Sequence, residues 1–241
     1  MSLRIDIWSD IICPYCYIGK KRLEHVAAEE GIELDIHWHS YELMPEGAAQ
    51  YQESLPELLA KRYGMSVEQA IQTEIRTAQA AAEEGIDFQW QTAKPGNTFN
   101  MHRLMQYAQT QGLADELGER FMHAYFTEGQ AIGDLKVVAK LAVEVGLQEA
   151  EVWSILNSQQ FAQQVRQDEQ IAQQLKIHGV PFIVFEEKVA IPGALPREAF
   201  RETLQQIAAE QAANQPLTTS AAQGEVCEDG VCALPATHSA R

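Results

Sequence analysis

Two cysteines, Cys13 and Cys16, stand three residues apart in the stretch SDIICPYCYIGKKRLEHVAAEEG, residues 9–31. Thiols at this spacing close a structural disulfide, hold half of a metal site, or exchange electrons with another disulfide. On one face of a helix such residues have Cβ atoms about 5–6 Å apart. At a helix start that gap closes readily to the roughly 3.5–4.5 Å that a disulfide needs. The pair can therefore open and close with little backbone movement. Pro14 suits the first helical position and fixes φ there. Cys13 then falls at the amino-terminal end of the helix, where unpaired N–H groups and the macrodipole favour a thiolate. Cys16 lies one turn in, on the inward stripe. The expectation is an exposed attacking thiol and a sheltered resolving thiol, with Tyr15 beside them to tune the thiolate. The metal reading needs two further ligands, and the nearby histidines, His25, His37 and His39, show no ligand spacing.

Cys227 and Cys232 form a second short-range pair around Asp229-Gly230, a tight-turn signal that makes a disulfide across the turn easy. Glu228 and Asp229 crowd negative charge around these thiols, which opposes thiolate formation and makes either a poor first nucleophile. The pair is expected to be secondary: a relay that exchanges with Cys13 and Cys16, or a regulatory disulfide that locks under oxidation. The polar linker NQPLTTSAAQGE before it reaches about 20 Å as a random coil, enough for a tail docked nearby to touch the first pair. An inert surface hairpin and a weak zinc site with His238 are the competing readings.

The elements that must position these groups follow from periodicity. Leu3, Ile5 and Ile7 alternate with Arg4, Asp6 and Trp8, a strand over residues 3–8. The helix that starts at Pro14 runs to about Glu30, with an inward stripe through Cys16, Leu23, Val26 and Ala27, and Gly31 ends it. Leu34, Ile36 and Trp38 alternate with Asp35, His37 and His39 in a second, half-buried strand. From Pro45 to His178 every periodic segment reads helical, with spans near 54–63, 66–84, 98–112, 114–127, 135–145, 148–156 and 158–177. Ser66 and Gln69 make a capping box, and Asp134 is the N-cap of LKVVAKLAVEVG.

Beyond His178 the pattern changes again. PFIVF is a short apolar run suited to a strand buried on both faces, EEK turns it into the strand VAI, and Pro192-Gly193 ends that strand. A last helix turns Phe200, Leu204 and Ile207 inward and closes near Ala213. The order β-α-β, helices, β-β-α describes an α/β fold. It is a thioredoxin-like core (1–44 and 178–213) interrupted by a large all-helical insertion (45–177). A flexible tail (214–241) carries the second cysteine pair.

Composition narrows the function. The chain has 241 residues, 46% hydrophobic and 22% charged, enough for a sizeable core. Its 34 acidic side chains against 18 basic ones give a formal net charge of −16, which repels phosphate backbones and anionic lipid. Neither nucleic acid nor membrane is an expected partner. The opening MSLRIDIWSD has no signal-peptide anatomy, so a cytoplasmic location is expected. Paired cysteines in a reducing compartment more often mean catalysis, sensing or metal than permanent disulfides. No Gly-rich phosphate loop or dinucleotide fingerprint precedes a helix, and no organic cofactor is implied.

Taken in order, SDIICPYCYIGKKRLE, NTFNMHRL (97–104), AYFTEGQAIGD (124–134), GVPFIVF (179–185) and PGALPREAF (192–200) resemble the landmarks of the DsbA-like thiol–disulfide oxidoreductases, specifically the cytoplasmic FrnE-type branch. The likeness spans the chain to about Ala213. It implies a thioredoxin-like core with a helical insertion, Cys13 as nucleophile and Cys16 as resolving thiol. It also implies that Pro181 is the family's cis-proline facing the dithiol, with the backbone of Val180 free to pair with an extended substrate. Pro14, Tyr15 and Val180 are the expected substrate-binding residues. Two positions depart: the branch more often has Trp at Tyr15, and Gln where this chain has Leu195. Asn97, His102 and Arg103 would join the insertion to the core or line the cleft, and His178 reads as a solvated loop histidine.

The reading is thus an enzyme, a thiol–disulfide oxidoreductase that uses the Cys-Pro-Tyr-Cys dithiol on protein or small-molecule disulfides. Glutathione or thioredoxin are the candidate recycling partners. Two rivals remain: a glutathione-dependent isomerase or transferase of kappa-like type, which needs only one thiol, and a non-enzymatic metal-binding module built from both cysteine pairs.

Overall fold

The structure, a computed structural model, describes residues 2–214. The chain opens with β1 (Ser2–Ser9), α1 (Pro14–Glu30) and β2 (Glu33–Ser40). A run of helices follows: α2 (Leu55–Tyr63), α3 (Val67–Ala82), α4 (Phe99–Thr110), α5 (Ala114–Phe126), α6 (Leu135–Glu144), α7 (Glu149–Leu156) and α8 (Ala162–Gln174). The chain then closes on β3 (Phe182–Phe185), β4 (Val189–Pro192) and α9 (Arg197–Asn214). The strands form one sheet in the order β2-β1-β3-β4, with β2 parallel to β1, β3 antiparallel to β1, and β4 antiparallel to β3. This is the thioredoxin-like core interrupted by helices that the element order predicts.

Strand alternation explains which layer each side chain joins. Leu3, Ile5 and Ile7 of β1 and Ile183 and Phe185 of β3 pack on Leu23, Val26 and Ala27 of α1 and on Phe200, Leu204 and Ile207 of α9. On the other face Trp8 and Phe182 meet Ala172 and Ile177 at the end of α8. The strand at 182–185 is therefore fully buried on one face only: Ile183 and Phe185 are enclosed, whereas Phe182 and Val184 are half-buried. His39, read from the sequence as part of a polar strand face, is instead stacked on Trp8 at 4.2 Å. Its ring is held between Asp6 (2.8 Å) and Asp168 (3.1 Å).

The predicted caps are present. Gln69 N–H donates to Ser66 Oγ and Ser66 N–H to Gln69 Oε1, while Asp134 accepts from the N–H of Lys136. Gly31 caps α1 at φ 66°, a left-handed conformation that costs glycine little. The last helix of the run departs from its predicted span of 158–177. Phe161 adopts φ 61°, so residues before Ala162 form a turn and α8 starts late.

The first turns of α1 are covered on all sides, not on a single stripe. Cys16, Tyr17, Ile18, Gly19 and Lys20 are all buried. The reason is α5, which packs against the same end of α1: Tyr17 Oη donates to Glu119 (2.5 Å), and Lys20 lies among Glu24, Asp115 and Glu119. Buried to 2% exposure, Lys20 stays charged because these carboxylates outweigh the cost of burial.

Candidate active site

Cys13 is the N-cap of α1, with extended φ/ψ of −88° and 111°, and Pro14 occupies the helix's first position. The Cys13 N–H donates to the carbonyl of Asp10 (3.1 Å), and the Cys13 carbonyl accepts from the N–H of Cys16 (3.0 Å). Both thiols are free and lie 3.3 Å apart. The pairing of Trp8 with Phe182 brings the start of β3 alongside the end of β1, and with it Val180 and Pro181. Cys13 Sγ donates to the Val180 carbonyl at 3.5 Å, and the Val180–Pro181 peptide bond is cis. The structure thus brings Cys13, Cys16 and Val180 together, with Pro181 next in the chain.

The expectation of an exposed attacking thiol needs correction. Cys13 is 5% exposed and Cys16 2%, so neither faces bulk solvent. Cys13 opens instead onto a chamber of about 450 Å³. Its walls are largely apolar, with Leu55 and Leu58 of α2, Phe88, Phe126 of α5 and Val180 among them; Pro14 and Tyr15 also line it. The helices between β2 and β3 roof the amino terminus of α1, which periodicity in α1 alone could not reveal. Tyr15, at 47% exposure, is the part of the motif that reaches solvent.

Cys16 is the more sheltered thiol of the pair. Burial pushes the Cys16 thiol well up, and the neighbouring Cys13 adds to the effect. The nearby Ser9 hydroxyl and the backbone of Asp10 pull the other way without offsetting it. Cys16 therefore keeps its proton at neutral pH.

Two acidic residues near the dithiol escaped sequence reasoning. Asp10 is fully buried, with one oxygen accepting from the N–H of Leu43 (2.7 Å) and the other 3.4 Å from His102 Nε2. The alignment of that second contact falls short of a hydrogen bond. Burial disfavours the His102 imidazolium, but Asp10, with Glu42 behind it, outweighs burial and raises its pKa above the usual histidine value. Glu74 of α3 lines the chamber itself, at 4% exposure, and its Oε2 has no hydrogen-bond partner. Burial alone raises its carboxyl to about 7. A signal for Glu74 did exist: it interrupts the buried stripe Ala70, Thr77 and Ala81 with an acid. For Asp10 there was none.

The remaining sequence landmarks are joints rather than cleft residues. Asn97 donates from Nδ2 to the carbonyl of Met44 (3.3 Å) and from its backbone to Ala48 (2.9 Å). Arg103, 2% exposed, donates to the carbonyls of Ile155, Ser158 and Gln160 and so ties α4 to the end of α7. His178 is exposed in its loop. The Leu195 side chain is also exposed, and only its carbonyl takes part in bonding, from Arg22 (3.2 Å). Among the described residues no three His, Cys, Asp or Glu side chains are grouped to hold a metal ion. Likewise, no described helix is long and apolar enough to cross a membrane. Cys227, Cys232 and His238 lie outside the described residues.

A thioredoxin-like sheet with a Cys-x-x-Cys pair at the start of its first helix marks the dithiol class of thioredoxin-fold proteins. Residues 4–205 match the DSBA-like thioredoxin domain, and the chain belongs to that family. It is similar to the probable DsbA oxidoreductase SCO1869 from Streptomyces coelicolor, with 35% identity and a TM-score of 0.80 over 97% of this chain and 100% of that one. It is 28% identical over 206 residues to the uncharacterized protein YwbO of Bacillus subtilis (strain 168), covering 85% of this chain and 96% of that protein. The 2-hydroxychromene-2-carboxylate isomerase shares the fold at 17% identity and a TM-score of 0.65, over 88% of this chain and 100% of that one.

Proposed function

We propose that this protein is a thiol–disulfide oxidoreductase of the FrnE-type branch, working through Cys13 and Cys16. The observation that carries the reading is the asymmetry of the pair. Two free thiols lie 3.3 Å apart, one opening onto a chamber and the other held protonated behind it. In the cycle, the Cys13 thiolate attacks one sulfur of a substrate disulfide, forming a mixed disulfide and releasing the first thiolate, which takes a proton from solvent. Cys16 then gives up its proton and attacks Cys13 Sγ. This closes the Cys13–Cys16 disulfide and releases the second thiolate. The substrate disulfide gains two electrons and the protein dithiol loses them. A recycling thiol, glutathione or a thioredoxin dithiol, returns them; run backwards, the same steps oxidise a substrate dithiol.

Pro181 has no N–H to compete for hydrogen bonds beside the mixed disulfide, and the Val180 carbonyl, which accepts from Cys13 here, is the group that a substrate backbone would meet. Cys227 and Cys232 serve as a relay or regulatory pair in this proposal. The support is their spacing around Asp229-Gly230. A cytoplasmic setting fits the use of four cysteines in two close pairs.

The test is the resolving thiol. Cys16→Ser should accumulate a covalent mixed disulfide at Cys13 when offered a disulfide substrate, seen as an added mass, and Cys13→Ser should accumulate none. A kappa-like glutathione enzyme needs one thiol only, so full turnover by Cys16→Ser with no trapped adduct would overturn the proposal. Parental turnover by the double variant Cys227→Ser/Cys232→Ser would remove the relay.

A further inference from the structure

The chamber in front of Cys13 is apolar except for a few groups, and the one buried carboxyl among them is Glu74, 4% exposed. A carboxyl enclosed in such walls normally has both oxygens satisfied. The Glu74 Oε2 is buried and has no partner among the described residues. Among the described residues the only cationic side chain lining the chamber, Arg62, is not paired with it: its Nη2 donates to the carbonyl of Leu43 (2.6 Å). A carboxylate left unsatisfied in an apolar space is costly to the free protein and favourable to any ligand that brings a hydrogen-bond donor or a positive charge. An independent observation points the same way. A net charge of −16 raises the local concentration of cations and repels anions.

We infer that the chamber selects small disulfides whose arms end in an amine, with Glu74 receiving the ammonium while Cys13 attacks the sulfur. This rests on the exchange activity proposed above and names its substrate class. The chamber, at about 450 Å³, has room for a small disulfide of this kind. Glu74 acts on binding, and it passes no electrons: the bonds made and broken are those of the exchange cycle alone.

Three disulfides with the same ethylene arms separate the possibilities: cystamine (ammonium), bis(2-hydroxyethyl) disulfide (neutral) and dithiodipropionate (carboxylate). Rates of Cys13–Cys16 oxidation are measured for the full chain and for Glu74→Gln, at high enough salt to screen the general field. Because the probes differ in leaving group, the quantity read is the ratio of cystamine to hydroxyethyl disulfide, compared between parent and variant. The expected result is a fall in that ratio of at least about tenfold in Glu74→Gln, the scale of one desolvated charge-assisted hydrogen bond. An unchanged ratio overturns the inference and leaves only the acidic field. Should Glu74→Gln not fold, the parent suffices: 1,6-diaminohexane should compete with hydroxyethyl disulfide where 1,6-hexanediol does not, and equal effects of the two overturn the inference. Failure of the parent to exchange with any of the three probes, with Cys13 and Cys16 left as free thiols, would instead count against the exchange activity itself.

Discussion

Gly19 of α1 lies so close to Pro181 that a Cβ there would stand 3.2 Å from the ring Cγ and 3.4 Å from the Ala194 Cβ. The absence of a side chain lets the second turn of α1 press against the loop that faces Cys13. Alanine at this position forces a shift of a few tenths of an ångström, offset by its better helix propensity, about 1 kcal/mol over glycine. Valine has no such compensation. Gly19→Val is expected to lose about 1–3 kcal/mol of stability by overpacking, and to slow disulfide exchange by moving Val180 and Pro181 away from Cys13. Urea unfolding and an exchange assay on the same samples check both. A folded Gly19→Val that exchanges at the parental rate would show that this contact does not position the loop.

Glu84, just past α3, gathers three elements. Its carboxylate accepts from Arg22 Nε (2.8 Å) and from Arg197 Nε and Nη2 (3.0 and 2.7 Å), and it lies 3.2 Å from His25 Nδ1. Burial alone would raise its pKa, but the bonds from Arg197 and Arg22 win and hold it below the usual carboxylate range. The stability this contributes is present above about pH 4.5 and is lost as pH falls through the lower folded-state value. Glu84→Ala should cost about 1–3 kcal/mol at neutral pH, since the partner arginines keep some access to water. The cost should shrink in strong acid, and a flat difference from pH 7 down to pH 2 would contradict this account.

How much of this was readable in advance depended on the range of the interaction. The strands, the run of helices and the dithiol at the start of α1 follow from spacing and caps, which are local. The enclosure of Cys13 does not, because most of the walls come from residues 55–126, packed there by tertiary contacts that leave no mark on the periodicity of α1. Arg103 and His102 were visible as a motif, but their burial against the end of α7 and Asp10 was not. His39 looked like a surface residue because its partner Asp168 is far away in the chain. Glu74 is the instructive miss: an acid on an apolar stripe was legible as an anomaly and could have been singled out.

His39 should leave a signature on the alkaline side. Burial lowers the charged form's stability, yet the bonds to Asp168 and Asp6 outweigh it and raise the pKa above 6.5. A raised histidine contributes stability that is fully present below pH 6.5 and disappears as pH rises through the folded-state value. His39→Gln should therefore be less stable than the parent at pH 6, with the gap narrowing above neutrality. Unfolding midpoints at a series of pH values provide the measurement, and a gap that widens with pH would reverse the assignment.

Glu74 works in a different window, which makes the two groups separable. Its carboxyl rises from 4.5 in the unfolded chain to about 7 when folded, with burial as the cause. The native state then holds a proton that the unfolded chain has released, so stability falls as pH climbs from about 4.5 to about 7 and levels off beyond. A shift of that size corresponds to about 3 kcal/mol. Glu74→Gln keeps the shape and removes the titration. It should match the parent near pH 4.5 and exceed it by up to about 3 kcal/mol at pH 8. Glu42 and Asp115, whose carboxyls burial also pushes up, titrate in both proteins and cancel in the difference. An amine bound in the chamber would lower the Glu74 carboxyl again by favouring its charge. Adding 1,6-diaminohexane should therefore restore part of the parent's stability at pH 8 and none of the variant's. A diamine that stabilises both equally would detach Glu74 from the binding of amines.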